Sequence, residues 1–272
     1  MAFEGFKETV WVKAIELALK KRCVLEEGCN RQYQGEIGEG KRVKIMGATR
    51  PTISTYIPGN NINAAESPAD TSVFLDVNQY KYANYFVDSI YAAQTDSDIL
   101  GALAQGAADS IAEIRDSYIG SLALGSTNMS EPTAIASVDD AAKAIDAGLV
   151  KLWDNGVRTS DDIRIELPPW LYDLFTNKII ALNTNNSSII ANGEVGTYKG
   201  AHVVMSNCLY NDAGDDFIMI RTKKAIAFAG GIHRVVPYEP ELQFGEAVKI
   251  LDTYGAKICR PDELYALRAH QA

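Results

Sequence analysis

Three histidines, four cysteines and three adjacent aspartate pairs are the residues of this 272-residue chain best equipped for chemistry. His202, His233 and His270 form no HExxH or HxH pattern, and Cys23, Cys29, Cys208 and Cys259 form no CxxC pair. A metal centre therefore has no support in the spacing. The pairs Asp139–Asp140, Asp161–Asp162 and Asp215–Asp216 could in principle supply a general acid and a general base. Each lies beside an expected helix start or turn, where aspartate caps backbone N–H groups, and capping is the reading adopted. GEIGEG at Gly35–Gly40 has its glycines at the wrong spacing for a dinucleotide turn and places acids where a phosphate would sit. A GxxxxGK[ST] loop and a GxSxG elbow are both absent. The expectation is a non-enzyme with no catalytic residue, no cofactor and no metal.

Composition narrows the remaining classes. Hydrophobic content of 47% and charged content of 22% suit a globular protein with ample core material. The formal net charge of −9 argues against a protein that grips nucleic acid through clustered Lys and Arg, though not against a wall that merely faces it. The N-terminal MAFEGFKETV has no apolar stretch of signal-peptide type, no apolar run approaches a membrane span, and the cysteines are expected to be reduced.

The dominant element is expected to be a long helix over Asp96–Leu124. Its apolar stripe would be Ile99, Leu100, Leu103, Ala107, Ile111, Ile114, Tyr118 and Leu122, with Glu113, Arg115 and Asp116 on a polar outer face. A first helix is expected over Val10–Leu25, stopped by Gly28, and others over Ser137–Trp153, stopped by Gly156, and Trp170–Leu182, opened by Pro168 and Pro169. Strands are expected at Lys41–Ile45, Thr52–Ile57, Val73–Val77, Ile163–Leu167, Gly196–Tyr198, Ala201–Ser206, Phe217–Arg221 and Ala225–Ala229. Two more are expected at Val248–Leu251 and Ala256–Cys259. Gln79–Ala93 mixes helix and strand signals. Pro58–Thr71 has too little apolar content to build a core, and uncommitted connections of that length are rare unless they have a task. A hairpin of about 15 residues per strand would reach roughly 50 Å, farther than its own body can cover.

Two stretches carry a resemblance to a known family. LDVNQYKYANYFVDSIYAAQ with the long helix after it, Leu75–Gly125, and AIAFAGGIHRVVPYEPELQFGEAVKILDTYGAKICRPDEL, Ala225–Leu264, resemble the major capsid proteins of tailed bacteriophages, the Hong Kong 97 type. The similarity lies in order, length and residue texture rather than in a short motif. It implies an α+β fold with an N-terminal arm (1–34), an extended β-hairpin loop (35–76), a peripheral domain (77–136 and 237–272) holding the spine helix 96–124, and an axial domain (137–236). It further implies a structural subunit that assembles with itself into pentamers and hexamers of an icosahedral shell around double-stranded DNA. A separate scaffolding protein and a portal would be partners, because the chain reaches the arm directly from Met1, and assembly would occur in the host cytoplasm. No loop lysine and asparagine form a convincing crosslinking pair. The alternatives are an encapsulin-like shell around cargo and a soluble α/β enzyme using the lobe at Ile163–Ser206. Candidate interface residues are Trp11, Lys41, Arg42, Lys44, Arg50 and Tyr56, the loop cations suggesting charge pairing between subunits.

Overall fold

The computed structural model describes residues 24–33, 42–45, 52–56, 58–59, 61, 64, 72–88, 99–181 and 196–272. Two strands, β1 (Arg42–Ile45) and β2 (Val73–Asp76), form the base of a hairpin, with Arg42 opposite Asp76 and Ile45 opposite Val73. β3 (Gln79–Asp88) resolves the ambiguous aromatic stretch as strand. It is the edge of a three-stranded antiparallel sheet, followed by β11 (Gly245–Ile258) and β10 (Ile226–Tyr238). The long helix α1 (Ile99–Ser121) continues into a short 3-10 turn at Leu122–Gly125. Its 23 residues span about 34 Å at 1.5 Å each.

The second sheet has seven strands. Along its main path run β4 (Thr133–Ile135), β12 (Leu264–Gln271), β9 (Asp215–Thr222), β5 (Ile163–Leu167), β7 (Ala201–Met205) and β6 (Thr197–Tyr198), with β8 (Asn211–Asp212) paired to β9. One face carries α2 (Val138–Asp154) and α3 (Pro169–Ala181). Ile145, Leu149 and Leu152 of α2 and Leu171 and Phe175 of α3 pack on Ile163, Ile165, Ile218 and Ile220. Phe217 and Met219 point the other way, onto Ile119 of α1, Phe228 and Tyr254. β9 is thus covered on both faces, which explains why FIMI reads as an unbroken apolar run rather than as an alternation.

Local signals set the helix ends as expected for α2. The Ser137 hydroxyl accepts the Asp140 N–H at 3.2 Å and donates to the Asp140 carboxylate at 2.6 Å, while Gly156, at φ +88°, turns the chain out of the helix. Pro169 sits at the first position of α3, where a missing N–H costs nothing.

Several expectations need correction. Arg115 and Asp116 are buried, and Ile114 is exposed, so the buried stripe of α1 runs through Ala108, Ile111, Ala112 and Ile119 and on to Ala123 of the 3-10 turn. The stripe is rotated because the charged pair finds buried partners. Thr52–Tyr56 is not strand: no ladder partner reaches it among the described residues. The expected strands at Val248–Leu251 and Ala256–Cys259 are one continuous β11, its polar middle being buried on α1 through Asp252. The helix expected to run to Leu25 does not reach it, since 25–28 are turn; positions 10–23 lie outside the described residues. The sheets also do not divide at 236/237: β10 crosses that point within the three-stranded sheet, and Leu264–Gln271 pairs with β9 in the seven-stranded one.

β10 contains a bulge between Ile232 and Arg234. Before it, Phe228 faces α1 and Ala227 and Ala229 face the hairpin base; after it, Val235 faces α1. An extra residue of this kind shifts the alternation by one.

Candidate assembly surface

Several of the residues nominated for chemistry make structural contacts. Asp161 accepts the Arg158 N–H at 2.9 Å, as its type suggests, whereas α2 is capped by Ser137 and the Asp140 carboxylate accepts the Ser137 hydroxyl. Asp215 and Asp216 instead do cross-strand work. Asp215 accepts Arg268 Nε at 2.8 Å and lies 2.8 Å from His270 Nδ1, and Asp216 accepts the Trp170 indole N–H at 2.6 Å. His202 stands 4.0 Å from Asp162 at an exposed position. Cys29 is buried, and burial pushes its thiol up to about 11, the opposite of a reactive cysteine. Among the described residues no three His, Cys, Asp or Glu side chains gather in a metal-like group, and no helix is long and apolar enough to cross a membrane.

The charges with most structural consequence lie under the turn Val24–Arg31. Asp116 accepts the N–H groups of Val24 (2.7 Å) and Glu26 (3.0 Å). Arg115 bridges Glu26 at 3.1 Å and binds Asp252 with two nitrogens, Nε at 2.8 Å. From the seven-stranded sheet, Arg221 pairs with Glu166 at 2.6 Å and donates to the carbonyls of Leu25 and Gly28 at 2.8 and 2.7 Å. Burial opposes charge on Arg221, but the Glu166 carboxylate outweighs it and the guanidinium is held charged. Burial raises Asp116 above the usual carboxylate range, although backbone N–H bonds pull the other way. One turn thereby joins the long helix and both sheets. Sequence reasoning missed this site because Arg115, Asp116 and Arg221 look like solvated residues until their partners, 55 to 196 positions away, are known.

The hairpin base is anchored more lightly. Val43, Ile45 and Leu75 pack on Ala227 and Ala229. Gly255 lets β11 pass the chain at Asp76, whose carbonyl oxygen would lie 2.1 Å from any Cβ placed there. Arg42 binds Asp76 at 2.5 Å and lies over the Phe74 ring at 5.0 Å. That hydrogen bond holds the Asp76 carboxyl below its usual range. Of the nominated interface residues, Arg42 therefore spends its charge within its own hairpin, Lys44 alternates with buried Val43 and Ile45 on the exposed side, and Tyr56 is exposed. Trp11, Lys41 and Arg50 lie outside the described residues. Beside the base opens a cleft of about 1170 Å³ lined by Arg31, Tyr33, Ile45, Lys223, Arg260 and Glu263 among others.

No protein-family model and no curated protein matches the sequence. Solved structures do match. A chain from Mycobacterium phage Che8 superposes with a TM-score of 0.75 at 23% identity, covering 90% of each chain. A chain from the capsid of cyanophage P-SCSP1u gives 0.68 at 15% identity, over 87% of this chain and 85% of that one. One from a virus-like particle of Pyrococcus furiosus gives 0.60 at 12% identity, over 96% and 99%. The chain has the mixed α/β fold of phage capsid proteins, as its resemblance to the Hong Kong 97 type implied.

Proposed function

We propose that this protein is a capsid subunit that assembles with copies of itself into a closed shell. The observation that carries this reading is a superposition that takes in nine-tenths of both chains, with several chemistry-bearing residues absorbed in structural contacts. In the finer reading, pentamers and hexamers form an icosahedral shell around double-stranded DNA, a separate scaffolding protein and a portal assist, and the shell becomes the virion capsid after assembly in the host cytoplasm. A net charge of −9 suits a container that does not hold its polyanionic contents. Residues 1–34 act as an arm, 35–76 as a loop laid on a neighbour, and the three-stranded sheet with α1 and the seven-stranded sheet as the peripheral and axial bodies. Lys41, Lys44, Arg50 and Tyr56 contact the neighbour through the loop, Trp11 through the arm, and Arg42 shapes the loop's base. The virus-like particle gives a lower TM-score than the Che8 and cyanophage chains, so a cargo shell is not the favoured reading.

Negative-stain microscopy and size-exclusion chromatography of the purified protein, alone and with a candidate scaffolding protein, test this. Closed shells or capsomer rings are expected. A monomer of 29.6 kDa under every condition would overturn the reading. Arg50→Glu is expected to lower shell yield; unchanged shells would remove the loop cations from the interface.

A further inference from the structure

Beyond the hairpin base, which packs on Ala227 and Ala229, the face of the three-stranded sheet turned away from α1 is exposed among the described residues. On β3, Ala83 and Tyr85 pack toward α1, while Tyr80, Tyr82 and Phe86 are exposed, Tyr82 to 83%. The same face continues across Lys249 and Leu251 of β11 to Arg234, Val236 and Tyr238 of β10. Tyr238 donates its hydroxyl to Asn84 at 3.2 Å, and Lys249 Nζ lies 4.4 Å from the Tyr238 ring centroid. Tyr82, Asn84, Val236 and Leu251 of this face line a shallow groove of about 480 Å³ together with two cations, Arg234 and Lys249, and no carboxylate. Among the described residues neither cation makes an ion pair.

The connection between β10 and β11 has the complementary character. Glu239 and Glu241 are exposed there, beside Leu242 and Phe244, which are 96% and 89% exposed. A chain cannot insert this tip into its own groove. The β10–β11 ladder pairs Tyr238 with Ala247 immediately below the tip, so folding back would break the strands that build the groove.

We propose that the groove receives the Glu239–Phe244 tip of a second copy of the chain, Leu242 and Phe244 covering Tyr82, Val236 and Leu251 and Glu241 meeting Arg234. The contact joins two different surfaces, so it propagates from copy to copy and closes where the rotation permits. It rests on the reading that copies of this chain assemble, and it names one of the contacts. Opposite charges at such a contact select the partner, and like charges reject it.

The test is a charge exchange in the full chain. Glu241→Arg and Arg234→Glu are each expected to reduce pelletable, microscopically visible assemblies about tenfold or more. Thermal melting of the soluble subunit should stay unchanged, since both side chains are exposed. The double exchange is expected to restore assembly. Wild-type yield from either single variant, or no recovery in the double variant, overturns this contact while leaving the shell reading standing. If the wild type forms only open oligomers and these follow the same loss and recovery, the contact holds and the closed shell does not. A wild type that never associates overturns both.

Discussion

The two sheets are built from similar residues and end in opposite conditions. The seven-stranded sheet has α2 and α3 on one face and α1, β10 and β11 on the other, so β9 presents almost nothing to solvent. The three-stranded sheet has α1 on one face and, among the described residues, only the hairpin base at Ala227 and Ala229 on the other, and it leaves Tyr80, Tyr82 and Phe86 outside. Coverage, not composition, separates a sheet that holds the subunit together from one that can meet another molecule.

Stability measurements should reproduce that division. The largest effect is expected from Arg221→Met, which leaves buried Glu166 without its partner and the Gly28 carbonyl without its donor. Breaking such a pair costs about 3–5 kcal/mol, read from the shift in urea midpoint. A loss below about 1 kcal/mol would mean that the turn Val24–Arg31 is not held from the seven-stranded sheet.

Gly255→Ala tests the join between β11 and the hairpin. A Cβ 2.1 Å from the Asp76 carbonyl oxygen must push one backbone away from the other. About 1–3 kcal/mol of destabilisation is expected, with faster amide exchange concentrated at Val73–Val77 rather than across the seven-stranded sheet. Uniformly faster exchange would contradict a local anchor.

On the bare face, Tyr82→Ser is expected to change subunit stability by less than about 0.5 kcal/mol while lowering shell yield. A destabilisation as large as that of Arg221→Met would erase the distinction between the sheets.

The smallest effect concerns pH. Asp76, exposed and hydrogen-bonded to Arg42, has a folded pKa below its unfolded value; its contribution is present above the ordinary value of 3.8 and is lost as pH falls through the folded one. Asp116, buried, has a folded pKa above its unfolded value, so its contribution falls as pH rises from 3.8 through the raised value. Carboxyl carbon chemical shifts of the two residues should titrate on opposite sides of 3.8.

Where local chemistry decides, the fold was legible in the sequence. Ser137 with Asp140, Gly156, and the proline pair before Trp170 mark helix ends through interactions within a few residues, and α2 and α3 lie where those signals put them. Where distant partners decide, it was not. LDTYG in β11 looks like a break because the partner of Asp252 is Arg115, 137 positions away. LYALRAHQ carries helix formers, yet it is β12 because β9 and β4 offer it a ladder on each side. Thr52–Tyr56 has strand-like residues and no such ladder. The candidate site follows the same rule: exposed Tyr56 and Lys44 were visible as loop residues, whereas the bare groove exists only once Tyr82, Lys249 and Arg234 are brought side by side by pairing.

The bulge between Ile232 and Arg234 decides which chemistry the outside of β10 displays. If the same sequence paired in unbroken register, Arg234 would take the side that Val235 now occupies, setting a guanidinium against the apolar side of α1 and moving the Val235 side chain outside. The charge displayed on the outside of β10 is thus governed by a count of residues rather than by their kinds. A single-residue insertion or deletion at 235–237, beyond the bulge, should be far less tolerated than deletion of residue 233, because the first reverses every side chain from that point to the tip whereas the second leaves Arg234 opposite Leu251.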